Sequence, residues 1–250
     1  MRAFVTLVRR ELGGFFVSLT GYVIIASVLL LVGFSLTDML VKLSGEPTDT
    51  PITELFYGTV YFWLILLITA PVITMRTFAL EKYSGTFETL MTTPVSDVQV
   101  VLAKFFGALI FYAITWSVFL ACILVVRYYT NEPNVIEPRA LGSTALGMLL
   151  IGCLYMALGC FGSSLTRSQI MAAMNSLALG LTLFLLSLRT LMPSPPMDWK
   201  GKAFAYISMI DHMQDFSRGF VDTRHVVFYL SLTMLFLFLT WKVVESRRWK

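Results

Sequence analysis

The residues that could carry chemistry are few in this sequence, and their spacing is uninformative. Asp211, His212 and Asp215 could contribute to a metal site, but a single histidine beside two carboxylates lacks a fourth ligand and a catalytic setting. The three cysteines, at positions 122, 153 and 160, have no CxxC or metal-ligand spacing. No GxxxxGK[ST] phosphate-binding loop occurs. We therefore predict no catalytic site, no bound cofactor and no metal in this chain.

The composition explains this scarcity, because the chain is built for lipid. Of its 250 residues 57% are hydrophobic and 14% are charged. A membrane-spanning helix needs about 20 mostly apolar residues, and the charged residues leave six intervals that meet this length. They are Leu12–Thr37, Leu55–Met75, Phe105–Val126, Ala140–Thr166, Ser168–Leu188 and His225–Trp241. The sequence predicts an all-α polytopic membrane protein, one domain over residues 1–250 with six transmembrane helices.

The charges flanking the intervals predict the orientation. With six spans, both termini share a side with the second-to-third and fourth-to-fifth connections, and that side holds eleven basic and five acidic residues, a net charge of +6. The other side holds eight basic and ten acidic residues, a net charge of −2. We expect both termini to be cytoplasmic, in a bacterial-type inner membrane. The excess of positive charge then suits anionic lipid headgroups, not nucleic acid.

The N-terminal segment, residues 1–13, has the pattern of a helix at the membrane surface. Apolar residues fall largely on one side of it, and Arg2, Arg9 and Arg10 are available to lipid phosphates. The apolar run that follows is longer than the core of a secretory signal, so we expect the segment to be retained. In the predicted fourth span, Ser143 with Gly147 and Gly159 with Ser163 are small-residue pairs that favour close helix packing.

The connection between the second and third spans, residues 76–99, is polar and contains helix signals. Ser84 and Gly85 suit a helix start, and Pro94 suits its end. Apolar side chains recur between them with helical spacing, at Phe87, Leu90 and Met91. Ser96 and Gln99 have the spacing of a capping box, which predicts a new helix that continues into the third span. We predict a short amphipathic helix rigidly mounted on two spans.

Two segments resemble a known family. The stretch "ALEKYSGTFETLMTTPVSDVQVVLAKFFGAL" resembles the cytoplasmic-loop signature of ABC-2 type transporter permeases. The stretch "MIDHMQDFSRGFVDTRHVVFYLSLTMLFLFLTWKVVESRRW" resembles the end of the same family, especially the permeases similar to those of gliding motility and nitrous-oxide-reductase maturation. With the six-span plan, the resemblance covers nearly the whole chain.

The resemblance implies a permease subunit that dimerises with an identical or different permease subunit, docks cytoplasmic ATPase subunits and works as an exporter, with ATP bound by the partner. Position by position, the family's coupling helix and its flanks fall on Glu81, Lys82, Gly85, Thr86, Glu88, Leu90, Thr93 and Pro94, to which the amphipathic pattern adds Phe87 and Met91. The long segment 189–224, on the outward side, is expected to form short helices.

Two other classes of protein would need different residues. A stand-alone channel or secondary carrier would need polar pore-lining or ion-coupling groups, and an intramembrane enzyme would need paired catalytic residues within the spans. None of the six intervals contains Asp, Glu, Lys or Arg. The sequence therefore favours a permease energised by a separate subunit, with the stand-alone channel or carrier as the alternative.

Overall fold

The computed structural model describes residues 2–45, 52–87, 95–130, 138–188 and 206–248, and these residues are predominantly helical. The helices are α1 Arg2–Val17, α2 Leu19–Gly45, α3 Ile52–Tyr57, α4 Val60–Thr74, α5 Ala79–Ser84, α6 Asp97–Thr130, α7 Pro138–Leu165, α8 Gln169–Leu188, α9 Met209–Ser217 and α10 Thr223–Arg248. Six helical stretches are long and apolar enough to cross a membrane: α2, α4 with α5, α6, α7, α8 and α10. The predicted all-α fold with six spans is confirmed.

The first span begins seven residues later than predicted. The expected interval started at Leu12, but α1 continues to Val17 and α2 starts at Leu19. The prediction placed the end of the N-terminal helix at residue 13 and used charged residues to mark the borders of spans. Residues Leu12 to Val17 are all uncharged, so charge could not show that α1 continues to Val17 before the helix breaks. A Cβ at Gly21 would overlap the Phe15 carbonyl, so the break requires glycine at that position.

The second predicted span is also divided. α3 ends at Tyr57 and α4 begins at Val60, and the Trp63 indole N–H donates to the Tyr57 carbonyl at 3.1 Å across the break. At its other end α4 is followed after a short turn by α5, so that Val60–Ser84 forms one apolar stretch of 25 residues. The sequence missed α3 because the interval from Leu55 onward carries no charge.

The third span is the longest helix, with 34 residues in α6. At 1.5 Å per residue this is about 51 Å, well beyond the hydrocarbon core of about 30 Å, so α6 projects out of the bilayer. Its start agrees with the sequence, since the Ser96 hydroxyl accepts the Gln99 N–H at 3.3 Å as an N-cap.

The helix α7 lies at the centre of the bundle, as the small-residue pairs predicted. In its most apolar window 78% of the residues are buried, against 22% for α8. A Cβ at Gly159 would overlap the Thr74 side chain, and one at Gly147 would lie 3.0 Å from the Phe216 ring. Side chains of two other helices, α4 and α9, therefore approach α7 closely at its small residues.

The side of the bundle opposite the termini is covered by two short helices, α3 and α9. The Thr53 hydroxyl donates to the Ser217 carbonyl at 2.8 Å, and Arg218 pairs with Glu54 through two contacts of 3.0 and 2.5 Å. α9 lies in the predicted outward segment 189–224, of which residues 189–205 are outside the described residues. α3 and α9 thus pack against each other and against α7 on this side of the bundle.

Candidate functional site

The helix α5 is fastened to the end of α7 on the side of the bundle that carries both termini. The Ser163 hydroxyl accepts the N–H groups of Phe78 and Ala79, at 3.2 and 3.1 Å, where α5 begins. The buried Lys82 ammonium donates to the Ser164 carbonyl at the last turn of α7. A six-residue helix cannot hold its own position, so these bonds from α7 fix where α5 points.

A second attachment is a cluster of four charges, which we call the charge cluster: Arg10, Glu11, Glu81 and Lys104. Lys104 of α6 is 2% exposed, and its Nζ lies 3.0 Å from Glu11 Oε1 and 2.9 Å from Glu81 Oε2. Arg10 Nη2 lies 2.7 Å from Glu81 Oε1 and 3.1 Å from Glu11 Oε1. Two cations and two anions from α1, α5 and α6 thus balance within one contact group.

The physical reason for the cluster is the burial of Lys104. An ammonium removed from water is costly unless anions replace the lost hydration. Glu11 and Glu81 supply two such anions. The Phe78 ring adds a cation–π contact, with its centre 5.5 Å from the Lys104 ammonium. In the sequence Glu11 and Lys104 appear only as charged borders of apolar intervals, because nothing in local spacing shows that residues 93 positions apart will pair.

The helix start predicted at Ser84 and Gly85 is wrong in part. Ser84 is the last residue of α5, and Gly85 follows it with φ of 72° in the left-handed region, which terminates a helix. Thr86 and Phe87 are helical again, so a second helix does begin immediately after Gly85. The glycine was interpreted as the beginning of one helix when it separates two.

The predicted interface residues divide into buried and exposed groups. Lys82 and Phe87 are 8% and 7% exposed, and the Lys82 ammonium lies 5.3 Å from the centre of the Phe87 ring. Phe87 was expected to face a partner; it packs mostly within the described chain, and its part in an interface stays a prediction. Tyr83 to Thr86 form the exposed tip of the segment, with Tyr83 78% exposed. We call residues 83–86 the exposed tip.

The remaining predicted interface residues lie outside the described residues. They are Glu88, Leu90, Met91, Thr93 and Pro94. Their assignment to a partner interface remains a prediction.

The N-terminal helix packs on protein along much of the side predicted to meet lipid. The Phe15 ring stacks on Phe111 of α6 at 4.6 Å, and Phe4 meets Phe106 edge to face at 6.2 Å. Arg9 is exposed and available to a membrane surface, whereas Arg10 is half exposed and engaged in the charge cluster. The Arg2 side chain is outside the described residues, so its predicted contact with lipid remains a prediction.

The break between α1 and α2 is stabilised by hydrogen bonds from the connection that follows α4, which also contains α5. Arg76, just after α4, donates to the Ser18 hydroxyl at 3.1 Å and to the Thr20 hydroxyl at 2.5 Å. α1, α5 and the ends of α4, α6 and α7 are therefore joined by directed polar contacts. The exposed tip therefore adjoins a helix, α5, that lies in a network of polar contacts with four other elements.

The weak metal candidate of the sequence does not assemble in the described part of the chain. His212 turns toward His225 of α10, and no group of three metal-ligating side chains occurs among the described residues. Cys153 and Cys160 are buried, and all three cysteines are free.

One comparison with known proteins identifies relatives of this arrangement. The family profile described as ABC-2 family transporter protein matches residues 21–244, which include all six candidate spans except the first two residues of the first and the last two residues of the sixth. No curated protein matches the chain.

Proposed function

The chain belongs to the ABC-2 transporter family, and from that membership we propose that it is the permease subunit of an exporter driven by a separate cytoplasmic ATPase. The family makes it the membrane component of an ABC transporter. The direction of transport, the docking of the ATPase and the coupling of hydrolysis to movement are the parts that we propose.

The absence of a phosphate-binding loop from the sequence supports a separate ATPase. A partner must then transmit its ATP-driven movement through contact. The exposed tip is suited to this role because it lies at the end of α5, whose Glu81 and Lys82 side chains are bonded to neighbouring helices. We propose that the tip, with the residues that follow it to Pro94, forms the docking surface.

The observation that carries the proposal is the position of Glu81, whose two carboxylate oxygens contact different elements. Oε1 lies 2.7 Å from Arg10 of α1, and Oε2 lies 2.9 Å from Lys104 of α6. A displacement of α5 therefore pulls on both the N-terminal helix and the third span. We propose that Glu81 and Lys82 act as internal braces of the coupling segment, while the tip makes the external contact.

The charge asymmetry supports an orientation with the tip in the cytoplasm, since the side carrying the termini has a net charge of +6 in the sequence. We propose a bacterial-type inner membrane as the location. Two copies of this chain, or this chain and a similar permease, would enclose the path. The weakly buried faces of α2, α8 and α10 leave room for such contacts and for lipid.

The test is co-purification of the permease with its ATPase subunit from native membrane. Tyr83→Ala, in the exposed tip, should lower recovery of the ATPase about tenfold or more, because interface aromatics commonly contribute over 1 kcal/mol. Tyr128→Ala is the matched control, since Tyr128 is 77% exposed and Tyr83 is 78% exposed. Tyr128 lies near the C-terminal end of α6, whereas the exposed tip is on the side where α6 begins. Equal recovery with both variants, at equal membrane abundance, would exclude the tip as a docking surface.

A further inference from the structure

Two histidine rings are stacked where α9 meets the sixth span. The ring centres of His212 on α9 and His225 on α10 are 3.9 Å apart, with 28° between the ring planes. His212 is 2% exposed, and the His225 side chain is 14% exposed. They are the only two histidines in the sequence.

The contact between α9 and α10 differs in kind from the other attachments of α9. Toward α7 and α8, α9 is held by hydrogen bonds, from the Ser143 hydroxyl to the Phe216 carbonyl at 2.5 Å and from the Met209 N–H to the Ser187 hydroxyl at 3.1 Å. Toward α10 the described contacts include those of His212 with the His225 and Tyr229 rings, together with a 3.8 Å approach of the Asp215 carboxylate to His225. This interface therefore depends on the two imidazole rings staying stacked, which repulsion between two charged rings would oppose.

The interface contains buried polar atoms that have no hydrogen-bond partner among the described residues. They are Nδ1 of His212, Nδ1 of His225 and the Tyr229 hydroxyl. Such atoms cost free energy while buried and regain hydrogen bonds when water reaches them. These unsatisfied atoms lower the net free energy that favours the closed contact, so a change in charge can open it.

The charges around the pair distinguish the two rings. Asp215 Oδ2 lies 3.8 Å from His225 Nδ1, so the His225 ring has a carboxylate beside it. The charge of Asp222 and a hydrogen bond with the Tyr206 backbone both act to raise the pKa of His212. Other titratable groups on neighbouring elements are Asp211 and Arg218 of α9, Glu54 and Tyr57 of α3, Arg139 of α7, and Arg224 and Tyr229 of α10. Arg218 is engaged with Glu54, and α8 carries no titratable side chain.

A proton on His212 is opposed by its surroundings. Burial, and secondly the charge of a protonated His225, lower the pKa of His212 to about 4. A histidine released to water has a pKa of about 6.5. Between these values the released form binds more protons than the stacked form, so falling pH favours release. Above about pH 6.5 both forms are neutral, and the stack is stable.

We propose that the His212–His225 stack is an acid-sensitive latch, which holds α9 on the sixth span while both rings are neutral and releases it when both are protonated. The latch rests on the proposed orientation for its setting, which places the pair on the outward side of the membrane. Released, α9 would swing on its remaining bonds to α3, α7 and α8 and open the outer end of the bundle to water. The compartment outside would thus regulate the exit side of the transporter.

The first test uses the fact that this pair comprises every histidine in the chain. Histidine labelled with ¹³C in the ring gives two signals from the otherwise unlabelled protein in nanodiscs, which are followed by NMR from pH 8 to pH 4. The latch predicts that both signals respond to both protonation steps, and that the second step lies well below pH 6.5. Two independent titrations near pH 6.5 would overturn the proposal.

The second test measures opening itself by hydrogen exchange of the peptide Met209–Ser217, corrected for the intrinsic effect of pH. Below about pH 6.5, protection should fall by up to about tenfold per pH unit, the slope for one additional proton bound on release. His212→Phe keeps a stacked ring without the titration and should abolish this fall. Unchanged protection from pH 7 to pH 5 in the parent protein would refute the latch.

A control separates the latch from the nearby Glu54–Arg218 pair, which acid also weakens. Glu54→Gln removes that carboxylate and should leave the pH dependence of α9 in place. If the fall in protection disappears in Glu54→Gln and persists in His212→Phe, the histidines are not the switch. These measurements use the isolated permease without an ATPase or nucleotide, so their failure and the failure of the proposed docking are distinguishable.

Discussion

Replacing Glu81 by glutamine tests whether the charge cluster transmits movement from the coupling segment. The change keeps the shape of the side chain and removes one negative charge from a group of two cations and two anions. Lys104, 2% exposed, would keep only Glu11 as an anion, at 3.0 Å. Arg10, whose side chain is 52% exposed, can turn to water.

The magnitude follows from these distances and exposures. The attraction between Lys104 and Glu81 at 2.9 Å is about 6 kcal/mol at an effective dielectric constant of about 20. Much of this is offset, because glutamine costs less to bury than a carboxylate and still offers an oxygen to Lys104. A net loss of about 2 kcal/mol is typical of a hydrogen bond to a charged group. For a chain of this length, that corresponds to a thermal midpoint about 4 to 8 °C lower.

The assay combines this midpoint with a measurement of coupling in the complex with the ATPase. We expect Glu81→Gln to bind the ATPase, because Glu81 is directed inward, and to lose most of the ATP-dependent change in hydrogen exchange that the proposed coupling predicts in α1 and α6. Glu245→Gln is the control, since Glu245 also forms a pair of 2.7 Å with a lysine, Lys242, near the C-terminus. That pair is exposed and should contribute below about 1 kcal/mol.

A double-mutant cycle checks the reasoning. Glu81→Gln with Lys104→Gln restores neutrality, so the double variant should lose less stability than the two single variants added together. Strict additivity would show that the pair has no energetic connection. A Glu81→Gln protein with an unchanged midpoint and an unchanged ATP-dependent response in α1 and α6 would refute the brace.

Three further predictions concern packing, energy source and orientation. Gly159→Leu should destabilise the protein by about 1 to 3 kcal/mol or more through overlap with Thr74. Gly142→Leu on the same helix should not, because no heavy atom lies within 4 Å of a Cβ at that position. Equal thermal midpoints for the two variants would contradict the packing. The purified chain alone should neither bind nor hydrolyse ATP, and hydrolysis by an ATPase-free preparation would refute a separate energy source. Reporters fused after Lys250 should be cytoplasmic and those near Glu46 external, and the reverse pattern would overturn the orientation.

The sequence by itself determined the class of protein and the number of spans. Hydrophobic length and the cost of charge in lipid act locally, so six apolar intervals translate directly into six membrane helices. The small residues of α7 were informative for the same reason, since only glycine at position 159 leaves room for Thr74. The resemblance to a permease family rested on local motifs, and the matching family profile agrees with it.

Tertiary structure alone decided which residues act together. Glu11, Glu81 and Lys104 are far apart in the chain, and His212 lies on a different helix from His225, so no local spacing shows that they meet. The break at Ser18 lies within an uncharged stretch, where composition gives no border. Pairing, burial and helix breaks depend on the free energy of contacts between distant segments, whereas a hydropathy pattern records only the preference of each segment for lipid or water.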